Sequence, residues 1–389
     1  MSHERRRPPA PAHDGKRGIL FLEDGTLFEG QGLGAPGTTY GEVVFTTGMA
    51  GYPESLTDPP YRGQILLFTY PLLGNYGIPS ASSRDKFGLP VGLESRKIQP
   101  RATLFRSLTS PHHWQSSASL DSWLQREGIP GIEGIDTRRL TGLLRSGGVQ
   151  RGLVVVGREI PSPEELAKSL SRLPRYQEEN LVREVAPRRP EWISSGEKNR
   201  PAVAVVDCGC KASILRALLQ RRLDVLRLPP GHPLPERWDG RPIRGFLLGN
   251  GPGDPELLTE VIESIRERPR RGPLLGICLG HQLFALASGA RTYKMKYGHR
   301  GQNKPVLFGA PIDKGYILSE NHGFAVDPAS LKKAGLRAWA HDPDDGTLEG
   351  LRATNDRAFA VQGHPEGAPG PREAGFIFDE FVRQVEKAA

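Results

Sequence analysis

The residues best placed to do chemistry lie in Leu274-Leu-Gly276-Ile-Cys278-Leu-Gly280-His-Gln282, an apolar run that passes straight into helix-forming sequence from Leu279 to Ser288, closed by Gly289. Gly-x-Cys-x-Gly has the spacing of a nucleophile elbow, in which flanking glycines permit a sharp strand-to-helix turn that lifts the central side chain off a sheet. Cys278 is therefore expected to stand exposed at the carboxyl edge of the sheet, where open α/β sheets bind ligands. The first amides of the following helix would favour its thiolate. The competing reading is a buried core cysteine, but glycines at both ±2 positions and an immediate helix favour a nucleophile.

A thiol that attacks an amide needs a proton carrier and a group to orient it. Phe359-Ala-Val-Gln-Gly-His364-Pro-Glu366 offers both, because a carboxylate two positions after a histidine can fold back onto its ring. His364 is the expected acid/base and Glu366 its orienter. His281, one helical turn after Cys278, ranks below His364. Leu248-Gly-Asn250-Gly251-Pro252-Gly253-Asp254-Pro255 is a glycine-rich loop whose amides could face a developing oxyanion. The phosphate-binding alternative fails, since the chain has no Gly-x-x-x-x-Gly-Lys-Ser/Thr and this loop lacks Gly-x-Gly-x-x-Gly spacing. Glu320-Asn321-His322-Gly323-Phe324 taken alone reads as a turn.

These residues require a scaffold, and 389 residues suit two domains. Hydrophobic residues make up 37%, enough for two cores despite 47 Gly and 35 Pro. No apolar run approaches the ~18 residues of a membrane span, and the N-terminus lacks a signal peptide's apolar segment. The net charge of +8 is partly the tail's, through Arg5, Arg6, Arg7, Lys16 and Arg17. What remains is spread rather than gathered into a stripe, which disfavours nucleic acid. Three cysteines argue against a disulfide framework and for a reducing, cytoplasmic setting. Cys208-Gly-Cys210 has no zinc spacing and reads as two buried side chains; no metal site is expected.

Residues 1–17 read as a disordered basic tail, with ordered chain from Gly18. Residues 18–157 then form a mixed β/α domain: a hairpin turns at Asp24-Gly25, and Asp136 caps a helix carrying Leu140, Leu143 and Leu144. Residues 158–200, rich in Pro and charge, read as a linker. From 201 to 389 the rhythm is strand, turn, helix, which implies a doubly wound parallel sheet. Asp254-Pro255-Glu256 there reads as a cap for one helix over Leu257–Arg268.

Taken together, Gly276–Gln282, Asn250–Pro255 and Gln362–Glu366 resemble the class I triad glutamine amidotransferases. Further matches, including Val44–Tyr52, Leu56-Thr-Asp-Pro59, Gly134–Leu140, Gly301-Gln-Asn303 and Asn321–Ala325, resemble the small, glutamine-hydrolysing subunits of carbamoyl-phosphate synthases, over nearly all of Gly18–Val385. The resemblance implies a flavodoxin-like C-terminal domain and a triad of Cys278, His364 and Glu366. It implies a glutamine pocket of Gly48, Gly251, Gly253, Leu279, Gln282, Asn321, Gly323 and Phe324, with the Gly251 and Leu279 amides as oxyanion donors. Gly48 stands where some members have serine, so a polar side-chain contact there would fall to Thr46 or Thr47. The resemblance further implies no cofactor in this chain, a large synthetase partner carrying ATP and Mg, and a heterodimer feeding pyrimidine and arginine synthesis. The rivals are an amidotransferase serving another synthetase, a γ-glutamyl peptidase, and a noncatalytic partner of a synthetase using free ammonia.

Overall fold

The computed structural model describes residues 15–269, 272–354 and 357–388. Most of the basic tail, 1–14, lies outside the described residues, and its remainder is already structured. Arg17 opens the first strand and pairs with both Gln31 and Gly157, one residue before the expected start. The chain divides into two units, one of residues up to 57, 63–83 and 91–176, the other of 58–62, 84–90 and 177–389.

The first unit is a closed seven-stranded barrel. Its strands are β1 (Arg17–Leu22), β2 (Leu27–Gly34), β3 (Gly37–Thr46), β4 (Gln64–Phe68), β5 (Ala102–Phe105), β6 (Pro130–Glu133) and β7 (Gln150–Gly157), closing in the order β1-β2-β6-β5-β4-β3-β7. The Asp24-Gly25 turn joins β1 to β2, with Gly25 at φ 87° as the tight reversal requires. Alternation along β1 sorts its side chains. Leu20 and Leu22 join a core with Val43, Ile65, Leu104 and Val154, while Ile19 and Phe21 pack against Leu166 and Leu170. Helix α1 (Thr137–Gly147) is capped by Asp136, whose carboxylate accepts the Arg139 amide at 2.9 Å, and it buries Leu140 and Leu144.

The segment expected as a linker is structured and divided. Helix α2 (Pro163–Ser171), opened by a Ser162/Glu165 capping box, supplies the Leu166 and Leu170 just named to the first unit. Strand β8 (Glu191–Ile193) is instead an edge strand of the second unit's sheet.

That sheet is centred on β9 (Ala202–Val206), β10 (Asp224–Leu228), β11 (Arg241–Leu248), β12 (Leu274–Ile277) and β17 (Ala358–Val361), all parallel, in the order β10-β9-β11-β12-β17. Counted along the chain this is the 2-1-3-4-5 winding of flavodoxin-like folds. Val203 and Val205 face a core shared with helices α3 (Ala212–Gln220) and α6 (Phe376–Lys387). Ala202, Ala204 and Val206 face one shared with α4 (Thr259–Arg266) and α5 (Leu279–Ala287). The sheet is wound on both faces, as the alternating sequence requires.

Between β12 and β17 the chain adds four antiparallel strands: β13 (Thr292–Phe308), β14 (Lys314–Val326), β15 (Leu336–His341) and β16 (Leu348–Ala353). The Glu320–Phe324 stretch is therefore a strand and not a turn. Asn321 pairs with Arg300, His322 with His299 and Phe324 with Lys294, so long-range pairing overrides the local turn signal. One helix expected over Leu257–Arg268 is two pieces. Asp254 caps a 3₁₀ turn at Pro255–Leu257, and α4 begins only after Leu258. No helix among the described residues is long and apolar enough to cross a membrane.

Candidate active site

The winding places β12 beside β17, with Ile277 opposite Val361. The residues that follow each strand are thereby held at one edge, Cys278 immediately and His364 three residues later. Cys278 takes φ 55° and ψ −107°, a backbone conformation strained for any residue with a side chain, and it sits at the N-cap of α5. Its amide is anchored to the Val361 carbonyl at 2.9 Å. The two glycines make this bend possible. A Cβ on Gly276 would come within 2.6 Å of the Gly280 carbonyl oxygen, and one on Gly280 within 2.1 Å of the Leu248 carbonyl oxygen. Gly280→Ala is therefore expected to force α5 away from β11 and lower unfolding free energy by roughly 1–3 kcal/mol, measurable as a shift in the denaturant midpoint.

The expected exposure of Cys278 is not found: the residue is 2% exposed. The physical reason is β14, which lies over the elbow. The thiol donates to the Asn321 carbonyl at 3.8 Å, and Asn321 is itself pinned through Nδ2 to Asp58 Oδ2 at 3.0 Å.

His364 is held at both ends. Its amide donates to the Ser319 carbonyl on β14 at 2.8 Å, and Nδ1 meets Glu366 Oε1 at 2.7 Å. Burial is the largest influence and pulls the ring's pKa down, but the Glu366 charge and the neighbouring Cys278 sulfur together outweigh it and lift it to about 10. Nε2 has no fully aligned partner among the described residues. The Cys278 sulfur is near enough to the ring to act on its pKa, without an aligned hydrogen bond between them. With Nδ1 tied to the carboxylate, the free nitrogen is the one left for proton transfer.

Two residues that sequence reasoning passed over complete the electrostatics. Lys211 is fully buried, and its Nζ meets Glu366 Oε1 at 2.8 Å. Burial alone would raise the Glu366 pKa, yet Lys211 and His364 together hold it down at about 2. Lys211 reaches there because Asp207 Oδ1 accepts the amides of Gly209 and Cys210, curling the chain inward after β9, and Asn250 Oδ1 accepts the Lys211 amide at 3.0 Å. Asp58 is the other; burial raises its carboxyl pKa, with Lys211 and His364 opposing. Its one sequence signal was the Leu56-Thr-Asp-Pro59 motif. A cationic Lys211 inside an apolar loop had none.

The glycine-rich loop follows β11, and a Cβ on Gly251 would lie 2.8 Å from Leu279 Cδ2, so the two expected oxyanion donors are neighbours. Gly253 takes φ 93°, which glycine permits. Gln282 is buried, and its amide group donates to the Phe324 carbonyl at 2.8 Å and to Gln362 Oε1 at 3.0 Å, tying α5 to β14. Asn321, Gly323 and Phe324 are together on β14. Gly48 belongs to the first unit, just past β3, where its amide donates to Thr46 Oγ1 at 3.2 Å; Thr46 is buried and Thr47 exposed. His281 is wholly buried, and burial holds its pKa down at about 3, which leaves it neutral. Cys208 and Cys210 are buried free thiols pushed up by burial, the packing side chains expected of them.

Comparison with known proteins gives two family matches. Residues 20–154 match the family described as carbamoyl-phosphate synthase small chain, CPSase domain, and residues 204–384 match glutamine amidotransferase class-I. Over whole chains, a carbamoyl phosphate synthase small chain of Pyrococcus furiosus is 44% identical, covering 95% of this chain and 98% of its own. One from Sulfolobus acidocaldarius is 43% identical over 95% and 96%. An arginine-specific small chain of Phaeosphaeria nodorum is 40% identical over 94% of this chain and 75% of its own.

Proposed function

The chain belongs to the carbamoyl-phosphate synthase small-chain family and carries a class I glutamine amidotransferase domain, and on that footing we propose that it hydrolyses glutamine and delivers the ammonia to a large synthetase subunit. The observation that carries this reading is the constellation at the β12–β17 edge: a strained cysteine, a histidine beside it, and a carboxylate fixing the far ring nitrogen.

In the proposed reaction His364 Nε2 takes the Cys278 thiol proton and the sulfur attacks the side-chain amide carbon of glutamine, forming the C–S bond while the carbonyl oxygen takes the electron pair. The amides of Gly251 and Leu279 receive that oxyanion. His364 gives its Nε2 proton to the amide nitrogen, the C–N bond breaks, and ammonia leaves a γ-glutamyl thioester. His364 then takes a proton from water, whose oxygen attacks the thioester; the C–S bond breaks, the sulfur recovers a proton from His364, and glutamate departs. Glu366 keeps the ring in place throughout and stabilises its charged form. Gly253, Gln282, Asn321, Gly323 and Phe324 complete the proposed pocket within the second unit, Gln282 by holding α5 to β14.

The companion subunit would combine the ammonia with bicarbonate and ATP, Mg-bound there, to make carbamoyl phosphate for pyrimidine and arginine synthesis. The test is glutamate release from glutamine by the chain alone and with the large subunit that co-purifies with it. Release in either case is the expected result. Its absence from both overturns the proposal and favours a noncatalytic partner of an ammonia-using synthetase.

A further inference from the structure

Away from the elbow, the antiparallel extension of the second unit buries His299 of β13, Glu320 and His322 of β14, and Glu349 of β16 in one cluster. One ligand-type atom from each lies within 4.8 Å of every other. His299 and His322 are directly paired across the two strands, and Glu320 shares a strand face with His322 by its i, i+2 spacing.

The contacts do not form a satisfied hydrogen-bond network. His299 Nδ1 is 2.9 Å from Glu320 Oε2 and 3.8 Å from Glu349 Oε1, and His322 Nε2 is 3.5 and 4.0 Å from the same two oxygens. Yet among the described residues these two ring nitrogens, and all four oxygens of Glu320 and Glu349, lack an aligned hydrogen-bond partner. Two buried carboxylates left in that state are costly. The separations suit a different filling, because bonds of about 2.0–2.2 Å put the ligand atoms of a tetrahedral ion roughly 3.3–3.6 Å apart.

The opposite nitrogen of each ring settles which face is turned inward. His322 Nδ1 lies 2.9 Å from the Phe324 carbonyl, and His299 Nε2 lies 2.9 Å from Asp345 Oδ2. With those acceptors holding the outer N–H of each ring, an incoming ion that displaces any inner proton would meet the lone pairs of His322 Nε2 and His299 Nδ1 pointing into the cluster. This is the arrangement that orients metal-bound histidines, carbonyl behind one and carboxylate behind the other. Nearby Asp342 is already matched by Lys304 Nζ at 2.6 Å, so the two glutamates are the charges left for an ion.

We propose that His299, Glu320, His322 and Glu349 bind one divalent transition-metal ion, for which zinc has the matching preference for imidazole nitrogen, carboxylate oxygen and four ligands. The site departs from the expectation that this chain holds no metal. It is independent of the glutaminase reading. Its role is structural: the ion would brace the Glu320–Phe324 segment, whose Asn321 covers Cys278 and whose Phe324 receives Gln282.

The test uses the full chain stripped with a chelator and then titrated with Zn²⁺ or Co²⁺. Uptake of about one ion per chain is expected. Cobalt should show the visible bands of a four-coordinate nitrogen–oxygen site without a thiolate charge-transfer band, equally in wild type and in Cys278→Ser. Glu349→Gln should lose the ion. Asp345→Asn, a half-exposed change that keeps the ligands, should bind about 10–100-fold more weakly, and it serves if Glu349→Gln does not fold. Failure of the stripped wild type to take up either ion, binding lost in Cys278→Ser, or undiminished binding in Asp345→Asn each overturns the proposal.

Discussion

Cys278→Ser is expected to cut glutamate release from glutamine by at least about 10³-fold, the scale on which loss of a nucleophile is felt when its partners remain. The loss should fall on kcat rather than on KM, since the proposed pocket is lined by other residues. No γ-glutamyl enzyme should be trapped by acid quench, whereas the wild type should yield one. Synthesis of carbamoyl phosphate from added ammonium salts by the reconstituted pair should persist, because that step would use the large subunit alone. An unchanged denaturant midpoint and retained co-elution with the large subunit separate a chemical defect from a misfolded chain. Equal glutamate release by the two proteins would remove Cys278 from the mechanism.

Lys211→Met is the second large effect. It leaves Glu366 buried without its main counter-charge, and breaking such a pair by removing one partner costs about 3–5 kcal/mol. The pH course identifies the cause. Glu366 has a depressed pKa, so the stability it contributes is present above its unfolded value of 4.5 and is lost as the pH falls towards about 2. The gap in unfolding free energy between wild type and Lys211→Met should therefore be widest above about pH 4.5 and should narrow steadily in acid. A gap that does not change with pH would mean that lost packing, not the ion pair, is responsible. In activity, the variant should resemble Glu366→Gln more than Cys278→Ser, since both disturb the His364 orienter while keeping the nucleophile.

The sequence carried the parts of this structure that depend on short-range rules. Gly276 and Gly280 announce the elbow because only residues without a Cβ fit beside the Gly280 and Leu248 carbonyls. The continuous apolar run at Ala202–Val206 marks a strand covered on both faces, and Asp24-Gly25 and Asp136 mark a turn and a cap by their own local chemistry. What was illegible depends on partners distant in the chain. The Glu320–Phe324 strand exists because Thr292–Phe308 lies alongside, and nothing within five residues says so. The burial of Cys278 follows from that same strand. Lys211 looks like any surface lysine until Asp207 and Asn250 turn its loop inward. His299 and Glu349 carried no motif, and only the antiparallel extension assembles them.

The strands bearing Cys278 and leading to His364 are immediate neighbours, although the chain between them travels through α5 and four further strands. Adjacent strands run about 5 Å apart, so that whole excursion departs from and returns to almost the same point. Lengthening its outer hairpin, for instance between Phe308 and Lys314, adds a closure cost that grows only with the logarithm of length. Insertions or deletions at that tip can therefore accumulate over evolutionary time without displacing Cys278 or His364.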